Sequence, residues 1–184
     1  YIKVSPNDRH LIAFGSTEFG TGNFNPMLVR WSDQENYDNW TPSISSTAGE
    51  VVLTGGTEIM GAVRSRNGIH IWTDDAMFVQ SFVGPPFIFN FQNVGTNCGL
   101  IGPHAAVDVD GISYWMGNNN FYAFDGRVRE LDCTVRRFLF DSFNMVNKDK
   151  VYAGVNSEFR EVIWLYPSEN SIEPDSYIIY NTFE

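Results

Sequence analysis

The sequence predicts an all-β fold, and three observations support that prediction. Helical periodicity is scarce, whereas short runs rich in Val, Ile, Phe, Tyr and Trp dominate the chain. Gly, Asn, Asp and Pro interrupt these runs at close intervals. A tryptophan also follows a short apolar run at a nearly regular spacing. Together these features indicate short antiparallel strands joined by tight turns.

Short apolar segments are each predicted to form a strand because β-branched and aromatic residues suit a half-buried pleated surface. In chain order they are residues 10–15, 27–31, 68–73, 77–83, 87–91, 105–111, 112–117, 120–124, 150–155, 161–166 and 176–181. Hairpin turns are predicted between some of them, since Asn-Gly and Asp-Gly pairs accept the positive φ that tight hairpins need. These turns are Arg66-Asn67-Gly68, Asp110-Gly111 and Asp125-Gly126.

The tryptophan spacing indicates a structural repeat. Four tryptophans are separated by 41, 43 and 49 residues, and they are Trp31, Trp72, Trp115 and Trp164. Their surroundings are also alike, since Ala62-Val63 precedes Trp72 as Ala106-Val107 precedes Trp115. A period of this length with four strands per unit is typical of a β-propeller. The prediction is therefore part of one propeller, about four blades of four antiparallel strands; the alternative, a β-sandwich, does not explain the period.

The repeated tryptophans are predicted to pack between adjacent blades. Each propeller blade is covered on both faces, which explains strands that are apolar at alternate positions and aromatic at the others. Burying one such indole contributes about 3 kcal/mol, judged from Trp→Ala losses in protein cores.

A short inserted helix near residues 134–144 explains the longest interval of the repeat. Apolar residues there follow the spacing of one helix face, and they are Val135, Phe138, Leu139 and Phe143. Asp132 or Thr134 is expected to cap the helix start. Arg136 and Arg137 fall on the exposed side, where they are either solvated or in contact with a neighbouring subunit.

Composition limits the class of protein. The chain has 184 residues, 43% of them apolar, which suits one globular region with a substantial core. Its formal net charge of −10 disfavours simple DNA binding, because acidic surfaces repel phosphates. No apolar run approaches the ~18 residues that a membrane-spanning helix needs. Cys98 and Cys133 could form one disulfide, but a core of this size favours two unpaired, buried thiols.

No catalytic, metal or cofactor motif is present, so the sequence predicts neither an enzyme nor a cofactor. The histidines His10, His70 and His104 are scattered, without metal-ligand spacing to another His or Cys. The segment 108–111, Asp-Val-Asp-Gly, lacks the further acidic positions of a calcium loop. A strand followed by an Asp-Gly turn explains it better.

The polar stretch after Trp31 is the first candidate for intermolecular contact. It reads "SDQENYDN" and ends at Trp40, which lies outside the repeated tryptophans. We predict an exposed loop whose acidic side chains could reach arginines of a neighbour, each pair contributing little if exposed. The candidate interface residues are Asp33, Glu35, Tyr37, Asp38, Trp40, Arg136 and Arg137. Carbohydrate stacking on Trp40, with Tyr37 beside it, is the alternative.

Three segments together resemble virion structural proteins of short-tailed bacteriophages. They are "MLVRWSDQENYDNWTP", "VGTNCGLIGPHAAVDVDGISYWMGNNNFYAFDGRVREL" and "KVYAGVNSEFREVIWLYP". The resemblance extends over most of residues 27–166. The likeness is to tail nozzle or hub proteins, also described as packaged-DNA stabilisation proteins. No catalytic residues come with this resemblance.

The resemblance implies a propeller-bearing subunit of the phage tail, located in the virion. Copies would form a ring, expected to be hexameric, in contact with portal, adaptor and other tail proteins. The ring would conduct DNA without binding it specifically, retaining the genome and releasing it at ejection. The competing function is a carbohydrate- or receptor-binding module. Because the chain starts at Tyr1 without a methionine, we expect a single propeller region, residues 1–184, taken from a longer polypeptide.

Overall fold

A computed structural model of the chain describes residues 1–7, 9–66 and 68–183. It confirms the all-β prediction, since the described residues form four antiparallel sheets of three or four strands. Every sheet is a meander in which strands adjacent in sequence are adjacent in space. The chain divides into two compact units, Tyr1–Asn97 and Cys98–Glu184.

The first unit contains two four-stranded sheets. The first sheet consists of β1 (Ile2–Val4), β2 (Leu11–Thr17), β3 (Phe24–Trp31) and β4 (Gly49–Val52). The second sheet consists of β5 (Ile59–Ser65), β6 (Gly68–Thr73), β7 (Met77–Gly84) and β8 (Ile88–Gly95). Alternate apolar residues of both sheets form one core, which includes Ile12, Val29, Ile69, Ile71 and Phe78.

The second unit contains a four-stranded and a three-stranded sheet. The third sheet consists of β9 (Ala106–Val109), β10 (Ile112–Met116), β11 (Phe121–Phe124) and β12 (Val128–Glu130). Helix α1 (Arg136–Asp141) and a 3-10 helix (Met145–Lys150) follow it. The fourth sheet consists of β13 (Tyr152–Asn156), β14 (Glu161–Tyr166) and β15 (Ser176–Asn181). The predicted four strands per repeat are therefore present in three of the sheets, and the described residues of the fourth sheet form three strands.

Every segment predicted as a strand overlaps one, and three predicted ranges coincide with β6, β14 and β15. The missed strands carry weak sequence signals. Strands β1 and β12 have three residues each, and β12 is mostly charged. Strand β4 begins with Gly49 and Glu50, and β5 has a register shift near Gly61. Short, charged or glycine-containing strands lack the alternation that marks longer ones.

The predicted hairpin turns form where the structure describes them. Asp110 and Gly111 both have positive φ, 54° and 92°, between β9 and β10. Gly126 has a φ of 115° between β11 and β12. The third predicted turn includes Asn67, which lies outside the described residues.

The inserted helix exists, but its predicted cap and buried face are partly wrong. Neither Asp132 nor Thr134 caps it; Val135 precedes the first helical residue and provides no side-chain hydrogen bond. Leu139 and Phe143 are buried as expected, whereas Val135 and Phe138 are 49% and 76% exposed. The helix has only six residues, so Val135 and Phe143 of the predicted apolar face lie outside it. Phe140 takes the inward position and contacts the rings of Phe121 and Phe143.

Cys98 and Cys133 are both free thiols as predicted, but only Cys98 is buried as expected, and Cys133 is half-buried. Within the part of the chain that the structure describes, no helix is both long and apolar enough to cross a membrane.

Candidate functional site

The four repeated tryptophans are all buried, with exposed fractions between 0 and 7%. Each lies on an inner strand of its sheet and faces a small residue on a neighbouring strand. The four cross-strand pairs are Trp31 with Gly49, Trp72 with Gly61, Trp115 with Ala106, and Trp164 with Ala153. A large ring beside a small side chain fills the pleated surface without a clash.

The first tryptophan differs from the others in its position within the sheet. Trp31 lies on the third strand of its meander, whereas Trp72, Trp115 and Trp164 lie on the second. The small partner of Trp31 is accordingly on the following strand rather than the preceding one. The spacing of 41 residues between Trp31 and Trp72 gives no sign of this difference, because a spacing does not show which strand of its sheet each tryptophan occupies.

Indole N–H groups anchor connecting segments to the sheets. Trp31 donates to the carbonyl of Thr47 at 2.8 Å, Trp115 to that of Cys98 at 2.8 Å, and Trp164 to that of Ala105 at 2.9 Å. Each acceptor lies outside the strands, so each bond ties a connection to a buried ring. A buried hydrogen bond of this kind contributes about 1 kcal/mol.

The β3–β4 loop, residues 32–48, is the region in which most predicted contact residues lie. Asp33 organises it: one carboxylate oxygen accepts from the backbone N–H of Thr47 at 2.8 Å and from its hydroxyl at 2.7 Å. The same oxygen accepts from the N–H of Gln34 at 2.9 Å, and the other accepts from Asn39 at 3.2 Å. These bonds lower the pKa of Asp33 to about 2. Asp33 thus fixes the shape of the loop and is charged at neutral pH.

His10 extends this network into the core. Its Nε2 lies 3.2 Å from the Thr47 hydroxyl. That hydroxyl gives its only hydrogen to Asp33, so Nε2 carries a proton and donates. Nδ1 is then an acceptor, and it has no partner among the described residues. Burial lowers the pKa of His10, Asp33 opposes that shift, and Arg9 adds to it. The ring is neutral and packs against Phe82 and Phe89.

Histidine, threonine and aspartate in contact resemble a catalytic arrangement, but the proton directions do not fit one. A nucleophilic hydroxyl needs a base that accepts its proton. Thr47 donates to Asp33, a carboxylate whose pKa of about 2 makes it a very weak base. His10 donates to the hydroxyl instead of accepting from it. The trio therefore acts as a structural clamp on the β3–β4 loop.

The tip of the loop presents the other predicted contact residues. Glu35 pairs with Arg9 of its own chain at 2.6 Å, and both side chains are largely exposed. Tyr37 is 68% exposed, and Asp38 is exposed beside it. Trp40 is half-buried, and its indole donates to the carbonyl of Tyr37 at 2.7 Å. Arg30 holds the far side of the tip by donating to the carbonyl of Trp40 at 2.7 Å.

A cavity of about 600 Å³ lies beside this loop. It is lined by Trp31, residues 42–48 and residues 85–88. None of these residues is ionisable, and the lining combines proline and aromatic rings with serine and threonine hydroxyls. Its volume falls in the range of small-molecule pockets. The lining therefore offers apolar rings and hydroxyl groups without any charge.

The clamp made by Asp33 recurs in the chain, and the sequence analysis missed it. Asp74 accepts from the N–H and hydroxyl of Thr57, both at 2.7 Å. Asp175 accepts from the N–H and hydroxyl of Ser168 at 2.8 and 2.7 Å. Burial raises the pKa of Asp74, but its hydrogen bonds outweigh burial and lower it overall. The available signal was an aspartate two residues after both Trp31 and Trp72.

Arg136 and Arg137, the second part of the predicted interface, are both exposed on helix α1. Arg137 makes an i,i+4 ion pair with Asp141 at 3.5 Å. Such an exposed pair contributes little to stability. Both guanidinium groups face solvent, and their role in subunit contact remains a prediction.

Groups of three or more His, Cys, Asp or Glu side chains placed to hold a metal ion are absent from the described residues. No protein-family model matches the chain, and no curated protein is significantly similar to it.

Proposed function

We propose that the chain is a structural part of a bacteriophage tail, of the nozzle or hub type. Copies of the protein assemble into a ring, expected to be hexameric, below the portal and adaptor. The ring conducts DNA, retaining the packaged genome and releasing it at ejection. Its place is in the virion, and it carries out no catalysis.

The observation that carries this proposal is the repeated pairing of a buried tryptophan with a small residue in successive meanders. Four such meanders follow one another, and each has its tryptophan on an inner strand. This is the arrangement expected of propeller blades, so we interpret the sheets as consecutive blades. The three sequence segments that resemble tail nozzle and hub proteins cover three of these four tryptophans.

The charge of the chain also supports a conduit. With a net charge of −10, the protein does not gain affinity by neutralising phosphates. A DNA channel benefits from such weak adhesion, because the genome must move through it. The clamped β3–β4 loop, with Tyr37 and Asp38 at its tip, provides a preorganised surface for contact with a neighbouring subunit.

Mass measurement in solution tests the assembly. The full-length protein is measured alone and with its portal and adaptor partners present, and the proposal predicts a ring-sized oligomer. A full-length protein that stays monomeric in the presence of those partners contradicts the proposal. Tyr37→Ala and Asp38→Ala in the loop tip then locate the contact, with Val146→Ala, an 89% exposed residue of the second unit, as the control.

A carbohydrate- or receptor-binding module is the second candidate, favoured by the uncharged cavity beside the β3–β4 loop. Trp40 and Tyr37 provide aromatic surface close in sequence to residues 42–48, which line the cavity. Glycan-array binding that is lost in Trp40→Ala would support this function. A blank array for the wild-type protein would count against it.

A further inference from the structure

The buried ring of His10 has two nitrogen atoms with unequal surroundings. Nε2 donates to the hydroxyl of Thr47 at 3.2 Å, whereas Nδ1 has no hydrogen-bond partner in the described part of the chain. The residue is 3% exposed, and its ring packs against those of Phe82 and Phe89, with centroids 6.3 and 5.2 Å away. A neutral ring suits this site, because a neutral imidazole carries a proton on only one nitrogen.

A second proton on the ring makes the same site unfavourable. An imidazolium has N–H donors at both nitrogens, so Nδ1 becomes a donor in a buried position where it has no acceptor. An unpaired buried donor is destabilising, and more so when the group is charged. Phe82 and Phe89 belong to a segment, residues 76–95, that contains no ionisable residue. Strands β7 and β8 therefore supply no counter-charge.

The charged groups around the ring act in opposite directions. Asp33, bonded to the same hydroxyl, favours a proton on the ring, while Arg9, the preceding residue, disfavours it. Arg9 is itself paired with Glu35, and Lys3 lies on β1, which pairs with β2. Burial is the largest influence, and it places the pKa of His10 below the ordinary 6.5. The folded protein therefore keeps this ring neutral at pH values where the unfolded chain protonates it.

The ring also connects the β3–β4 loop to the core of the first unit. Its partner Thr47 accepts the indole N–H of Trp31 at its carbonyl, at 2.8 Å. The backbone of His10 is fixed on both sides, since its N–H donates to the Ser5 hydroxyl and its carbonyl accepts from the Ser5 N–H. The side chain can still rotate about its own bonds. A ring that leaves its site therefore breaks the bond to Thr47 while β1 and β2 stay paired.

We propose that His10 is an acid-sensitive latch of the β3–β4 loop. In mildly acidic solution the ring takes up a proton, leaves its buried site and releases the hydroxyl of Thr47. The loop keeps its internal shape, because Asp33 remains ionised and still bonds Gln34, Asn39 and Thr47. Its attachment to the core is what changes. This proposal does not depend on the tail function, because it rests only on contacts within the first unit.

Titration of the ring tests the proposal without any variant. The Cε1–H signal of His10 is followed by NMR in the full chain from about pH 8 to about pH 4.5, the range in which histidines titrate. We expect a midpoint below 6.5, with the indole N–H signal of Trp31, which reports on the Thr47 carbonyl, shifting in step. A midpoint at or above 6.5, or no titration in this range, overturns the proposal. A Trp31 signal that stays constant while His10 titrates also overturns it, because the ring then takes up its proton in place.

A matched pair of variants tests the effect on stability. His10→Gln keeps an N–H donor for Thr47 but does not titrate. Because the unfolded chain binds the proton more readily, the wild type should lose stability relative to this variant as the pH falls below 6.5. Urea denaturation at about pH 7.5 and about pH 5 should show at least a roughly threefold loss in the folded-to-unfolded ratio. His104→Gln, an exposed position in the second unit, should keep the pH dependence of the wild type. A constant difference between the wild type and His10→Gln overturns the proposal.

Discussion

Gly49 leaves the space that the indole of Trp31 occupies. The two residues are directly opposite each other on β4 and β3. A Cβ added at Gly49 would lie 2.8 Å from Cε2 of Trp31, closer than side-chain atoms pack, and closer still to Cζ2. Trp31 is in turn fixed through its N–H to Thr47, so it has no simple way to move aside. The absence of a side chain at Gly49 is thus required opposite Trp31, whereas alanine is accommodated opposite Trp115 and Trp164.

Replacing Gly49 with alanine is expected to lower the free energy of unfolding by about 1–3 kcal/mol, as overpacking in a core does. Chemical denaturation followed by tryptophan fluorescence measures it. Gly154→Ala is the matched control, since its added Cβ meets no atom within 4 Å. That variant should be neutral or slightly stabilised. Equal losses in both variants would show that Trp31 does not require the space.

Removing a repeated tryptophan should be far more damaging than removing Trp40. Trp164 is 1% exposed and donates to Ala105, so Trp164→Ala is expected to lose about 3–5 kcal/mol of unfolding free energy. Trp40 is half-buried at a loop tip, and Trp40→Ala should lose less than about 1 kcal/mol. Thermal or urea unfolding of the two variants compares them. Similar losses would contradict the distinction between repeated and loop tryptophans.

The clamp at Asp33 predicts a dependence of stability on acid. Its pKa is lowered from 3.8 to about 2 in the folded protein, so its contribution is present above pH ~4. That contribution should decline as the pH falls from about 4 towards 2, because the unfolded state takes up the proton more readily. The difference in unfolding free energy between wild type and Asp33→Asn measures this one group. A difference that stays constant over the interval would contradict the assignment.

The hydroxyl of Thr47 serves more partners than that of Thr57, and this predicts unequal effects. Thr47→Val removes the acceptor for His10 and Gln34 and one donor to Asp33. Leaving His10, which is 3% exposed, without an acceptor should cost about 1–3 kcal/mol. Thr57→Val removes a donor to Asp74 in an exposed turn and should cost less than about 1 kcal/mol. Denaturation midpoints that coincide would contradict this ranking.

Most strands could be predicted because each is marked by a run of β-branched and aromatic residues within a few positions of the sequence. Strands such as β6 and β14 combine β-branched and aromatic residues with clear turn residues at their ends. Strands β1 and β12 could not, since three residues show no period. Helix α1 was placed correctly, but its cap depended on backbone geometry at Val135 that the sequence does not determine.

The candidate site was less predictable because its contacts are distant in sequence. Asp33 was expected to reach a neighbouring subunit, yet its carboxylate bonds Thr47, 14 residues away. His10 joins the same network across 37 residues, and no local motif marks that contact. Exposure of Arg137 was predictable from its charge, and that of Tyr37 from the polar turn residues around it.

Electron microscopy of the full-length protein, with and without its portal and adaptor partners, tests the central claim most directly. We expect rings with a central channel, in which the four meanders form consecutive blades. Dispersed single particles in both conditions would contradict it.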